Sequence, residues 1–129
     1  MILVDTSVWV ELLNGRLKKR LVPEVLLRFV TCGPITQEVI QGLRPGAFTD
    51  GIRQAFLAIP HLCDPLRRDT FLEAAEIYRH GRRSGYTIRS STDCLIAAIA
   101  IENNVPVWHR DRDFKFIAKY TRLEARESF

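Results

Sequence analysis

Five carboxylates stand where apolar segments begin or end: Asp5, Glu38, Asp93, Asp111 and Asp113. Asp5 closes the run Met1-Ile2-Leu3-Val4, and Asp93 immediately precedes eight apolar residues, Cys94 to Ile101. Asp111 and Asp113 follow Val105-Pro106-Val107-Trp108, and Glu38 lies in a segment opened by Thr36. Carboxylates crowded at the edge of a core lose hydration and repel one another, so they stay ionised only beside a cation. A hard divalent ion, Mg²⁺ or Mn²⁺, suits oxygen ligands. In that chemistry Asp5 and Asp93 supply oxygens to one ion, while Glu38, Asp111 and Asp113 bind a second or orient water. Two ions roughly 3.5–4 Å apart activate water and stabilise the leaving oxyanion of an in-line phosphodiester displacement. Thr6 or Ser7, in the first turn of the next helix, is placed to hold a water or a phosphate oxygen.

Each acid also has an ordinary explanation. Asp93 can complement a helix dipole, Glu38 can decorate a helix surface, and Asp111-Arg112-Asp113 can form a solvated turn. Asp64 reads as a helix cap. Asp5 is hardest to dismiss, because a carboxylate closing a buried strand is seldom decorative.

The elements must bring these acids together. Residues 1–5 read as a buried strand, followed by a helix from Thr6 or Ser7 that turns Val8, Trp9, Leu12 and Leu13 inward and weakens at Gly15. The pattern predicts a helix from Leu21 to Phe29 and a strand Val30-Thr31-Cys32. It predicts a helix from Thr36 to Gln41 with Glu38 in its first turn, and another capped by Thr49 or Asp50 and running to Ala58. His61-Leu62-Cys63 reads as a strand, and Asp64-Pro65 as the opening of a long amphipathic helix with Leu66, Phe71, Ala74, Ala75 and Tyr78 at helical spacing. A helix beginning near Ser91 is broken at Asn103-Asn104, Val105 to Trp108 forms the last inner strand, and Phe114 to Tyr120 a closing helix. Strands alternating with helices imply an α/β sandwich with a parallel sheet of four to five short strands. The ligand edge of such a sheet lies at the carboxyl ends of its strands, where helix N-termini also point. Asp5 and Asp111 follow strands while Glu38 and Asp93 open helices, so all four converge on that edge.

The 129 residues are expected to form a single domain with an adequate core. No apolar run reaches the roughly 18 residues a membrane helix needs, and no signal-peptide pattern is visible. The three cysteines, Cys32, Cys63 and Cys94, form no Cys-x-x-Cys pair and read as reduced core residues of a cytoplasmic protein. Trp9 and Trp108 fit a core better than a stacking surface, and His109 a structural role. The formal charge of +4 conceals an asymmetry: without the five acids, ten carboxylates face 19 Lys and Arg, a surplus of nine. A cationic surface beside an acidic edge suits a phosphate polymer. Arg79, Arg82, Arg83 and Arg89 precede Asp93, Arg16, Lys18, Lys19 and Arg20 follow the first helix, and Arg110 and Arg112 sit among the acids. The planar fork of arginine donates two bonds to a phosphate, and Arg89, held close to Asp93 by a short link, is the foremost candidate.

Taken in order, Val4-Asp5-Thr6-Ser7-Val8-Trp9, the Glu38 segment, Arg89-Ser90-Ser91-Thr92-Asp93-Cys94-Leu95-Ile96-Ala97-Ala98 and His109-Arg110-Asp111-Arg112-Asp113-Phe114 resemble the PIN-domain nucleases over essentially the whole chain. Within that family the chain is most similar to VapC-type toxins of toxin–antitoxin pairs. The resemblance implies a PIN-like α/β/α sandwich and a Mg²⁺- or Mn²⁺-dependent endoribonuclease, with catalytic acids Asp5, Glu38, Asp93 and Asp111 and an auxiliary Asp113. It implies a homodimer, a VapB-type antitoxin partner and an RNA substrate, transfer RNA being the commoner expectation; DNA enters only through the antitoxin. Thr6, Ser7, Arg82, Arg89 and Arg112 are the expected substrate or phosphate contacts. An RNA-processing nuclease without a toxin role and a catalytically silent RNA-binding or regulatory module remain alternatives. Haloacid-dehalogenase phosphatases need Asp-x-Asp where this chain has Ser7, and receiver domains need an adjacent acidic pair and a mid-chain strand-end Asp that are absent.

Overall fold

The computed structural model describes residues 1–13 and 23–128, apart from the side chains of residues 47 and 48. The expected basic cluster at Arg16, Lys18, Lys19 and Arg20, and the helix end at Gly15, lie outside the described residues. Among the described residues five parallel strands form one sheet in the order β3-β2-β1-β4-β5: β1 (Ile2–Val4), β2 (Phe29–Cys32), β3 (His61–Leu62), β4 (Val107–Trp108) and β5 (Ala125–Arg126). β1 is central, Leu3 lying opposite both Val30 and Val107. Its three apolar residues and all four of β2, Thr31 included, are buried, as strands of a parallel sheet covered on both faces are. From β1 the chain passes to β2 on one side and later returns to β4 on the other. Their carboxyl ends therefore flank the switch point at which ligands of open α/β sheets bind.

Among the described residues seven helices accompany the sheet: α1 (Thr6–Leu13), α2 (Pro23–Leu26), α3 (Gly33–Gln41), α4 (Ala47–Leu57), α5 (Arg68–Arg83), α6 (Ser91–Glu102) and α7 (Arg112–Tyr120). α6 is buried nearly throughout and packs on α3, α5 and α7, which accounts for its uniformly apolar sequence. Trp9 lies edge-on to Phe29 and Phe56, with ring centroids 5.7 and 5.0 Å apart. Trp9 and Trp108 are core residues, as expected. No described helix is long and apolar enough to cross a membrane.

Several boundaries differ from those expected. Helix α2 stops at Leu26, and Phe29 belongs to β2, where it is buried. Helix α3 starts at Gly33 with Pro34 in its first turn, so Glu38 occupies the second turn rather than the first. Thr36 is not its cap; its hydroxyl bonds His61 Nε2 at 2.7 Å. Helix α4 begins at Ala47 after Gly46, whose φ of 145° only glycine adopts easily, ahead of the expected Thr49 or Asp50 cap. Asp64-Pro65 is a cis turn, and α5 opens three residues later with Arg67 as its cap, so Asp64 caps nothing. On α5 the inward residues are Thr70, Ala74, Ile77 and Gly81, while Phe71 faces outward. Leu13 is only partly buried. β5, an edge strand paired to β4, was not expected.

Candidate metal centre at the switch point

Asp5 follows β1 directly and is 4% exposed. Its Oδ2 accepts the Ser7 hydroxyl at 2.5 Å and the Ser7 backbone N–H at 3.1 Å. Burial nevertheless raises the Asp5 pKa above the usual carboxylate range, and the charge of Asp111 adds to it. Ser7 Oγ also accepts the backbone N–H of Arg110 at 2.9 Å, tying α1 to the segment after β4 across the switch point. Thr6 donates its hydroxyl to Glu38 Oε1 at 3.2 Å. Glu38 is half-buried, and its pKa is raised chiefly by that burial, with a contribution from Asp5.

The other acids sit at two helix openings. Ser90 caps α6, its Oγ accepting the Asp93 backbone N–H at 3.3 Å. Its own N–H donates to Asp113 Oδ2 at 3.1 Å. Asp111 caps α7, accepting the Asp113 N–H at 3.0 Å. α7 therefore starts at Arg112, two residues earlier than expected. Asp93, Asp111 and Asp113 each present an oxygen within 4.8 Å of the others. Asp93 Oδ2 and Asp113 Oδ1 are buried and have no hydrogen-bond partner among the described residues. Burial, followed by the charges of Asp5, Asp111 and Asp113, pushes the Asp93 pKa up to about 9. When protonated, Asp93 shares a hydrogen bond with Asp111, which further resists ionisation.

Sequence reasoning placed Asp5 with Asp93 on one ion; the structure gathers oxygens of Asp93, Asp111 and Asp113 within 4.8 Å of one another. Asp5 reaches that trio by charge, and Glu38 reaches Asp5 in the same way. Three converging carboxylates, two of them with an orphaned, buried oxygen, fit a divalent cation, and no ammonium or guanidinium among the described residues neutralises them.

Other expected contacts are spread more widely. Arg82 lies in the last turn of α5, Arg89 precedes the Ser90 cap, and Arg112 opens α7; all three are exposed and none is ion-paired among the described residues. Arg79 is paired with Glu76 at 3.7 Å and Arg110 with Glu11 at 3.2 Å. Arg110 also donates to the Glu127 carbonyl, fastening the segment after β5 to α1. His109 is 2% exposed and packs on Phe114, and burial lowers its pKa. Sequence reasoning passed over Ser90 as a double anchor; a serine three residues before Asp93 was the available signal.

The PIN domain family profile matches residues 2–120. A VapC ribonuclease of Mycobacterium bovis and Ribonuclease VapC11 of Mycobacterium tuberculosis are each 40% identical over 131 aligned positions, covering 97% of this chain and of theirs. Among solved structures, VapBC-5 of Mycobacterium tuberculosis is similar with a TM-score of 0.70 at 23% identity, covering 98% of this chain and 97% of that one. FitAB bound to a DNA fragment gives 0.69 at 21% identity, covering 97% and 93%.

Proposed function

This chain belongs to the PIN-domain family, and on that premise we propose that it is a divalent-metal-dependent endoribonuclease acting as the toxin of a VapBC-type pair. The observation that carries the reading is the trio Asp93, Asp111 and Asp113, with two buried oxygens that nothing in the described protein satisfies. Asp93, Asp111 and Asp113 would hold the ion, with Asp5 beside them. A bound Mg²⁺ or Mn²⁺ supplies polarisation of phosphate oxygens and activation of water for phosphodiester hydrolysis. The chain's own groups do the positioning. Ser7 fixes the carboxylate of Asp5, Ser90 fixes Asp113, and Thr6 aims Glu38, which orients the attacking water and holds its proton. Arg89, four residues before Asp93, and Arg112, between Asp111 and Asp113, are exposed and grip the RNA backbone, with Arg82 further along it.

The partner of this reading is a VapB-type antitoxin that blocks the acidic edge, in a cytoplasmic complex with a homodimeric toxin. Its support is the naming of the full-length relatives as VapC ribonucleases and the occurrence of similar folds in VapBC and FitAB structures. The test is incubation of purified protein with total RNA in Mg²⁺, Mn²⁺ or chelator, followed by mapping of new 5′ ends. Discrete cuts should appear only with metal and fall roughly a thousandfold or more in Asp93→Asn. Cleavage surviving in that variant would sink the nuclease reading.

A further inference from the structure

Beside Glu38 a cavity of about 650 Å³ opens between α3 and the starts of α5 and α6, walled by Gln37, Glu38, Gln41, Phe71, Thr92 and Leu95. A second hollow of about 510 Å³ shares Phe71, Thr92 and Leu95 and adds Tyr78 and Arg79. Phe71 thus stands between two openings. It is 50% exposed, because α5 spends Thr70, Ala74, Ile77 and Gly81 on its inward face. Gln37 and Gln41 lie one turn apart on the exposed side of α3, and neither amide is bonded to another described residue. Thr92 is the neighbour of Asp93, so the cavity adjoins both the Glu38 and the Asp93 sides of the acidic edge.

We infer that this cavity is a nucleobase subsite, in which an unpaired RNA base flanking the scissile phosphate stacks on Phe71 and presents its edge to Gln37 and Gln41. The inference rests on the reading of the acids as an RNA-cleaving centre. Its chemistry selects the occupant. Each amide offers one acceptor and two donors, the complement of a base edge. An exposed aromatic ring gives every base a stacking face. The carboxylate of Glu38 in the wall repels a phosphate or an acidic peptide but not a neutral heterocycle. The volume lies within the range of small-ligand sites.

Short RNAs carrying 2-aminopurine, titrated with the full chain in chelator, give a readout that needs no catalysis. Wild type should quench the fluorescent base on binding. Phe71→Ala, a change at an exposed position, should lose the quench and bind roughly tenfold more weakly. Gln37→Ala/Gln41→Ala should keep the quench but bind several-fold more weakly than wild type. With metal present it should lose the wild-type preference among the four bases next to the mapped cut. Quenching and affinity unchanged in Phe71→Ala would overturn the subsite. So would a Phe71→Ala protein that falls from dimer to monomer in light scattering while binding RNA as before, since a second copy would then cover this face. Wild type that quenches the base yet cuts no RNA with Mg²⁺ or Mn²⁺ would support the subsite and sink the nuclease reading alone.

Discussion

The two halves of the acidic edge are built differently. On the β1 side, Asp5 and Glu38 each receive a hydroxyl from the first turn of α1, through Ser7 and Thr6. On the β4 side, Asp93, Asp111 and Asp113 converge within 4.8 Å, and two of their oxygens receive nothing. The first half is satisfied by the protein; the second keeps two buried oxygens without a donor, which the proposed function assigns to a cation. The contrast separates groups that position from groups that bind, which a bare inventory of five acids cannot do.

The strongest challenge to this contrast is the ion-free protein. Asp93 carries a pKa of about 9 when folded against an ordinary 3.8, so between those values the folded chain holds a proton that the unfolded chain has released. Stability of the metal-free protein is therefore greatest at the acid end and falls as pH rises across that window. A thermal midpoint dropping roughly 5 °C or more between pH 5 and pH 9 is expected in chelator, with Mg²⁺ or Mn²⁺ abolishing the drop. Asp93→Asn should flatten it too, since an amide stays neutral and can still donate to Asp111. A pH profile identical in wild type and variant would erase the distinction between the halves.

A smaller effect is expected at Ser7, where the satisfied half meets the loop of the other. Ser7→Ala removes the shortest bond to Asp5 and the acceptor of the Arg110 N–H. The cost should be about 1.5–3 kcal/mol in urea unfolding, because a carboxylate loses a donor at a buried site. Cleavage should fall with it. A variant as stable as wild type would show that the Ser7 backbone N–H alone suffices for Asp5, and the hydroxyl would no longer distinguish the two halves.

Much of this edge was legible beforehand, for a physical reason. Asp5 and Asp93 adjoin unbroken apolar runs and Asp111 stands three residues past Trp108, and the strand ends and helix starts of a parallel sheet share one side of the molecule. What escaped notice depends on contacts distant in sequence. Thr36 reads as a cap, but its hydroxyl is taken by His61, 25 positions away, and α3 starts earlier on Pro34. β5 is two residues at the sheet edge, one half-buried and one exposed, and carries no periodic signal. Phe71 fits a helical stripe but points outward, because the small residues Thr70, Ala74 and Gly81 let α5 lie close to its neighbours. Local pattern marks where an element lies; which face it buries is decided by the element it meets.

The finest test of the contrast lies at Thr6. Its hydroxyl is the only described side-chain donor to Glu38, and that bond opposes the upward pull of burial and of Asp5 on the Glu38 pKa. Thr6→Val keeps the shape and removes the donor, so the Glu38 pKa should rise further. The acid limb of the rate profile with metal and RNA should then move to higher pH, and the turnover rate at neutral pH should fall a few-fold while KM holds. Loss of stability should be no more than about 0.5–1.5 kcal/mol. Thr6→Ser should restore the wild-type limb. A limb that stays put in Thr6→Val would mean that Glu38 does not titrate in the rate-determining step, and the β1 half would reduce to the single anchor of Asp5.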